Sequence, residues 1–181
     1  LIIFTASGLV DRFFLYRMTG LFVLGGFQGV LGWLMVASGL VDRPDVSHYR
    51  LAAHLMMAVL LFSALLWTAL DYTVRPKFRP APGRLLFWPV LCLGAVMLTM
   101  TWGAFVAGLD AGLTYNTFPL MDGRIVPSGM WLLDPWWSNL TGNVATVQFI
   151  HRSLAVAAVV LVGVMACRLL AVCVSPAVRS L

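Results

Sequence analysis

Two histidines, His54 and His151, are the side chains of this chain best suited to chemistry. Each lies about one turn inside a long apolar segment. An imidazole in such a segment must be neutral and either hydrogen-bonded or bound to a ligand. A neutral histidine is also a common protein ligand of metals, heme iron among them. We therefore predict that both rings bind heme iron. The alternative for each ring is a hydrogen bond to a neighbouring helix.

An arginine accompanies each histidine: Arg50 precedes His54 by one helical turn, and Arg152 directly follows His151. Guanidinium groups form strong charge-assisted hydrogen bonds with carboxylates. Arg50 and Arg152 are therefore candidate partners for the propionates of a porphyrin. The alternative is that both anchor their helices at the membrane interface. His48, the third histidine, is expected to face water and has no evident role.

The sequence shows no catalytic group built from protein side chains alone. It contains no glycine-rich phosphate loop, no nucleophile beside a base, and no pair of carboxylates within the apolar segments. Glutamate is absent, and the acidic residues are all aspartates. An iron cofactor is therefore expected to supply the reactive chemistry.

The elements that carry these residues are predicted to be membrane-spanning helices. Of the 181 residues, 61% are hydrophobic and 10% are charged, whereas about one quarter of a soluble domain is charged. A helix of about 20 apolar residues spans a bilayer. Four segments are long enough, namely 18–40, 49–74, 85–109 and 147–174. The sequence thus predicts an all-α polytopic membrane protein with four transmembrane helices.

The positions of the charges predict how these helices cross the membrane. The net charge is +5, but the basic residues sit in short gaps between apolar segments, which argues against a nucleic-acid binder. By the positive-inside rule, the most basic gaps face the cytoplasm. The helix ends that carry the histidines then face the periplasm of a bacterial inner membrane. The cytoplasmic basic residues are Arg12, Arg17, Arg75, Lys77, Arg79, Arg84, Arg168 and Arg179.

A long outer loop, 110–146, connects the third and fourth predicted spans. It contains Trp131, Trp136 and Trp137, and tryptophan favours the membrane interface. Long loops without periodicity are commonly functional or disordered. The aromatic content favours a defined structure, and we expect this loop to cover the ends of the helices.

The first predicted span is rich in glycine. Gly25 and Gly29 lie four residues apart on one helix face, which favours close packing against another helix. The alternative is that these glycines leave room for a bulky planar ligand. Gln28 lies between them and needs a polar partner in an apolar environment.

Four segments, taken in order, carry a family resemblance: 25–40, 49–55, 103–119 and 148–152. They resemble the third span, the start of the fourth, the end of the fifth with its outer loop, and the start of the sixth span of heme A synthases. The Gly-Leu-Asp-Ala-Gly sequence at 108–112 is a specific part of this likeness. The resemblance covers nearly the whole chain and points to the branch found in proteobacteria and mitochondria.

The resemblance implies an eight-helix protein of two related four-helix bundles, in each of which two histidines hold a heme. Residues 1–84 would form the second half of the first bundle, and residues 85–181 the first half of the second. The implied enzyme oxidises the C8 methyl group of heme O to a formyl group, giving heme A for cytochrome oxidase. In this arrangement His54 would ligate the substrate heme O and His151 a heme b cofactor.

The same resemblance sets expectations about what accompanies the chain. The family places the second histidine of each pair, and an important glutamate, in spans that this chain does not match. We therefore expect the natural protein to be longer and the chain alone to be inactive. The expected partners are the lipid bilayer, heme O, heme O synthase and a further copy in a homo-oligomer, and no nucleic acid. The sequence does not indicate the electron donor.

Two other functions are compatible with parts of the sequence. A heme b-binding membrane electron-transfer protein would also bury histidines, and only the outer-loop resemblance argues against it. A transporter or channel would need polar residues through the middle of several spans. Ser63, Thr68, Thr99 and Thr101 are nearly all that the spans offer, so this third function is disfavoured.

Overall fold

A computed structural model describes residues 3, 5, 7–8, 11–39, 46–73 and 83–178. For residues 38–39, 83–85 and 172–178 it describes the backbone only. Four long α-helices dominate this part of the chain. A short helix and two 3-10 turns, Ala111–Leu113 and Trp136–Ser138, lie between the third and fourth long helices. In chain order the α-helices are α1 (Arg12–Gly39), α2 (His48–Thr73), α3 (Gly83–Gly108), α4 (Asn139–Gly142) and α5 (Val144–Val178).

The prediction of an all-α chain with four potential membrane spans is confirmed. The long helices α1, α2, α3 and α5 are each long and apolar enough to cross a bilayer. Many of their large apolar side chains are exposed on the outside of the helices, for example Phe22 (81%) and Val159 (74%). Such extensive exposed apolar surface is typical of a surface that faces lipid rather than water. The β pairing among the described residues is limited to one isolated bridge, between Met121 and Arg124.

The helix ends differ from the predicted ones in a consistent direction. α1 begins at Arg12, six residues before the predicted start at 18, and α5 begins at Val144 rather than 147. Arginine is a good helix former and its long side chain reaches a polar region from within a helix, so Arg12 and Arg17 extend α1 beyond its apolar segment, whereas the residues added to α5 are uncharged. The predicted ends at Leu40 and Val74, and the loop charges at 42–45 and 75–79, lie outside the described residues.

The chain divides into two compact units, Leu1–Phe78 and Arg79–Leu181. In the first unit, α1 and α2 run antiparallel. An ion pair of 2.6 Å between Arg17 and Asp71 joins them at one end, beside an edge-to-face contact of Phe14 with Tyr72. The predicted assignment of residues 1–84 and 85–181 to two different four-helix bundles stays a prediction.

In the second unit, α3 and α5 form the corresponding antiparallel pair. Arg168 of α5 lies over the ring of Trp88 of α3, 4.8 Å from its centroid. At the other end, the indole N–H of Trp102 donates to the carbonyl of Leu140 in α4. The outer segment 109–143 is thereby attached to the helix pair from which it emerges.

The outer segment begins with a change of backbone conformation. Asp110 has φ 50° and ψ 24°, in the left-handed region, which aspartate tolerates better than most residues. The chain then turns back over the helix end, and Ala111 is fully buried. This turn accounts physically for the Asp-Ala-Gly part of the sequence at 110–112: a residue that accepts a left-handed backbone is followed by two small ones.

Candidate functional site

The ring of His54 is half-buried between α1 and α2. Its Nε2 lies 3.3 Å from Nε2 of Gln28, and the same amide nitrogen donates to the backbone carbonyl of His54 over 3.2 Å. Nδ1 of His54 is buried and has no hydrogen-bond partner among the described residues. The histidine is thus held through its Nε2 side, and Gln28 has found the polar partner that its position requires.

These contacts define the tautomer of His54. A backbone carbonyl only accepts hydrogen bonds, so the group of Gln28 that faces it must be the amide NH2. That group has a second hydrogen, which it can donate to the imidazole only if Nε2 carries the lone pair. The proton of the neutral ring is then on Nδ1.

The ring of His151 is held from the opposite side. Its Nδ1 lies 3.0 Å from the backbone carbonyl of Thr99 in α3. Because the carbonyl is an acceptor, Nδ1 carries the proton and donates it. Nε2 therefore holds the lone pair, and no hydrogen bond to it occurs within the described part of the chain.

A glycine of the preceding helix faces each ring. A Cβ added at Gly32 would lie 3.0 Å from Cε1 of His54, and one added at Gly103 would lie 3.0 Å from Cε1 of His151. Real Cβ atoms essentially never come closer than this, so any larger residue would displace the ring. In both units the glycine follows the hydrogen-bonding residue by four positions, Gln28 then Gly32 and Thr99 then Gly103. The two histidines thus occupy equivalent settings.

The two arginines are engaged with backbone carbonyls. Arg50 donates to the carbonyl of Leu34 over 3.0 Å. Arg152 donates to the carbonyls of Thr117 and Tyr115 in the outer segment. A guanidinium has five N–H donors, so both arginines keep donors for a further anion. Their binding to propionates stays a prediction, and the contacts observed are ones that fix the local backbone.

Several sequence-based expectations are modified by the structure. His54 and His151 lie nearly two turns into their helices, not one, because α2 begins at His48 and α5 at Val144. His48 belongs to the first turn of α2 and is half-buried rather than facing water. Among the described residues nothing packs closely against Gly25 or Gly29, since a Cβ at either would meet nothing within 4 Å, and packing of another helix there stays a prediction.

A buried polar cluster at the start of α5 was not predicted from the sequence. The Asn139 side chain, fully buried, accepts from the amide of Leu133 and donates to the carbonyls of Leu133 and Trp136. Asn143 donates to Asn139 and to the carbonyl of Gly129. The signal that could have revealed it is the helical spacing of the polar residues 139, 143 and 146 in the sequence, although Asn143 itself is extended between α4 and α5.

The arrangement of the second unit fits a heme ligand. A histidine that binds a metal through one ring nitrogen commonly donates the other N–H to a carbonyl, which fixes the ring and increases its basicity. His151 has this arrangement toward Thr99. In the first unit an apolar cavity of about 240 Å³ is lined by Leu31, Leu34, Tyr49, Arg50 and Ala53. His54, the next residue along α2, has its lone pair on the matching nitrogen but shares it with Gln28.

Comparison with known proteins identifies the family. The family model described as "Cytochrome oxidase assembly protein" matches residues 1–181. The chain belongs to this family. It is 51% identical over 154 residues to the heme A synthase of Rhodospirillum centenum, 49% identical over 154 residues to that of Parvibaculum lavamentivorans, and 43% identical over 166 residues to that of Wolbachia pipientis wMel. No solved structure matches.

These alignments cover most of the chain but less than half of each relative. They include 84%, 85% and 91% of this member of the family, and 41%, 44% and 47% of the respective relatives. The expected likeness to heme A synthases, in their proteobacterial branch, is thus confirmed. Together with the four long apolar helices, it makes the chain an integral membrane protein of the cytochrome oxidase assembly family.

Proposed function

We propose that this chain is part of a heme A synthase, which oxidises the C8 methyl group of heme O to a formyl group and so provides heme A for cytochrome oxidase. The observation that carries the proposal is the matched setting of the two histidines, each ring lying against a glycine of the preceding helix. The polar contacts of both rings are those of a neutral imidazole with its lone pair at Nε2, the nitrogen that would bind heme iron. Relatives named heme A synthase, at up to 51% identity, supply the reaction.

In this proposal His54 and His151 are axial ligands of two different hemes. His54 binds the substrate heme O, and His151 binds a heme b cofactor. Bound heme iron supplies the redox chemistry of the reaction. The two units, each a helix pair that carries one of these two ligands, are the parts of two four-helix bundles that this chain contributes.

The residues of the chain bind and orient the porphyrins. Thr99 fixes the ring of His151 through its carbonyl, and Gly32 and Gly103 let each ring lie close to the preceding helix. Arg50 and Arg152 donate to propionates as well as to the carbonyls they already hold. The outer segment, tied to α5 by Arg152 and Gln148 through Tyr115, limits the access of water to the end of the second unit.

The cellular setting belongs to the same proposal. The protein lies in the bacterial inner membrane, with the histidine-bearing helix ends on the periplasmic side, as the positive-inside rule predicts. Its partners are heme O, which heme O synthase delivers, and a further copy in a homo-oligomer. The chain alone is inactive because each heme needs a second histidine from outside it.

A chimaera tests the proposed function. The aligned segment of the Rhodospirillum centenum heme A synthase is replaced by this chain, and heme extracts of the membranes are analysed for heme A. We expect heme A from the chimaera, and heme O accumulation without heme A from its His54→Ala and His151→Ala variants. The purified chimaera should also lose one of its heme absorption components in each variant.

Two outcomes would count against the proposal in different ways. A chimaera that binds heme through both histidines but leaves heme O unchanged would favour a heme b-binding electron-transfer protein. Retention of both heme components in the two alanine variants would show that His54 and His151 are not ligands. The unmodified relative, assayed in parallel, controls for expression and heme supply.

A further inference from the structure

The surroundings of His54 and His151 are similar but differ in which ring nitrogen is hydrogen-bonded. Each ring faces a glycine, and a Cβ added at that glycine would lie 3.0 Å from Cε1 of the ring. In both rings the contacts place the proton on Nδ1. His151 uses that proton in a hydrogen bond to the Thr99 carbonyl. His54 leaves it buried without a partner in the described structure and is held instead at its lone pair, by Gln28.

This difference has a consequence for metal binding. An N–H donated to a carbonyl makes the other nitrogen of the ring a better ligand, and His151 has this support. The nitrogen of His54 that would bind iron already accepts a hydrogen bond. Iron can reach it only after the amide of Gln28 withdraws, so heme binding at His54 competes with an internal contact.

The amide of Gln28 is itself poised to move. Its Oε1 is buried without a hydrogen-bond partner among the described residues, so the side chain satisfies only its donor end where it now lies. Gly25, one turn before Gln28 on the same face of α1, leaves open space among the described residues where a side chain would otherwise stand. Space and an unsatisfied acceptor together lower the cost of an alternative position for this amide.

We propose that Gln28 is a displaceable latch on His54: it holds the ring in the iron-binding tautomer while no heme is bound, and yields Nε2 when heme arrives. Gln28 is therefore a positioning residue that makes the His54 site exchangeable, as suits a site where a porphyrin enters and leaves. In the described part of the chain no such contact reaches Nε2 of His151, and this site retains its heme. The inference rests on the proposed function, which assigns iron binding to both rings.

The first test needs no heme. The chain, with its histidines labelled with ¹⁵N, is reconstituted in lipid nanodiscs, and ring signals are assigned by single substitution. We expect the proton on Nδ1 in both His54 and His151. In Gln28→Leu, His54 should shift toward the Nε2–H tautomer, which is no longer opposed by a donor, while His151 stays unchanged. Wild-type His54 with its proton on Nε2 would overturn the latch.

The second test measures binding of hemin at His54 alone, in the His151→Ala background. Gln28→Leu loses a hydrogen bond worth about 0.5–1.5 kcal/mol, and the cost of returning the ring to the Nδ1–H tautomer offsets part of it, so hemin binding should tighten by up to about tenfold. Gln28→Asn, whose shorter amide cannot reach, should act in the same direction and serves if the leucine variant fails to fold. Equal or weaker binding in both variants would overturn the proposal.

A matched control and a separate outcome keep the two hypotheses apart. Ser63→Ala, in the His151→Ala background, removes the side-chain hydrogen bond of an exposed residue of α2 and should leave hemin binding at His54 unchanged. Hemin binding is also compared between chains with histidine and with alanine at position 54, each with Gln or Leu at position 28. If histidine at 54 never improved binding, the ligand assignment in the proposed function would fail, and the latch would fail with it. Failure of the latch alone leaves His54-dependent binding intact.

Discussion

At the scale of single residues, the site depends on two glycines without side chains as much as on the two histidine rings. Gly103 and Gly32 let an imidazole ring rest against the backbone of the preceding helix. The hydrogen bonds that orient the rings come from residues one helical turn earlier, Thr99 and Gln28. Ring position and ring tautomer are thereby set together by one short stretch of helix in each unit.

Gly103→Ala should weaken heme binding at His151. The new methyl group would stand 3.0 Å from Cε1, and the shift needed to relieve this contact would misalign the bond to Thr99. Loss of a hydrogen bond of about 1 kcal/mol corresponds to about fivefold weaker binding of hemin, measured by absorbance titration in the His54→Ala background.

Gly94→Ala, on the same helix as Gly103, provides the control. A Cβ added at Gly94 would meet nothing within 4 Å. This variant should leave hemin binding unchanged and slightly stabilise the helix. If both alanine variants weakened binding equally, the ring contact at Gly103 would not be the cause.

At the scale of elements, composition was enough to predict the helices but not their partners. The spans are dominated by apolar residues over more than 20 positions, a local signal. Which glycine faces His54 depends on the register between α1 and α2, which no local pattern in the sequence encodes. Glycines at 25 and 29 had the expected spacing for a packing face, yet Gly32 is the one in contact.

The outer segment shows the same limit. Its aromatic content indicated a defined structure, and the structure has 3-10 turns and a buried polar cluster there. The carbonyls that Asn139 satisfies lie in a non-periodic stretch, at Leu133 and Trp136. Such contacts follow from the path of the chain and could not be predicted from spacing alone.

Asn139→Ala should loosen the outer segment without unfolding the long helices. It removes three part-buried hydrogen bonds to the backbone of Leu133 and Trp136, each contributing about 0.5–1.5 kcal/mol. Cleavage of the segment by chymotrypsin should therefore accelerate about tenfold or more, since proteolysis follows local opening.

Asn116→Ala is the matched control, because Asn116 is exposed and makes a single local bond to Leu113. It should leave the cleavage rate nearly unchanged, with helix content by circular dichroism constant in both variants. An Asn139 variant cleaved at the wild-type rate would show that the cluster does not hold the segment.

At the scale of the whole molecule, the charges predict which ends face which compartment. After replacement of the native cysteines by alanine, Ile125→Cys, in an exposed part of the outer segment, should react with a membrane-impermeant maleimide added to intact spheroplasts. Asp11→Cys, just before α1, should react only after the membrane is permeabilised. The reverse pattern would invert the proposed orientation, and detergent-solubilised samples control for reactivity.

The different bonding of the two histidine rings also bears on how each site tolerates genetic change. The ring of His151 is oriented by a main-chain carbonyl, which almost any residue at 99 would provide. The ring of His54 is oriented by a side chain, which a single codon change at 28 can remove. Substitution at 99 should therefore leave the ring orientation of the second site unchanged, whereas substitution at 28 should alter that of the first, so libraries that alter porphyrin preference are best directed at the first helix pair.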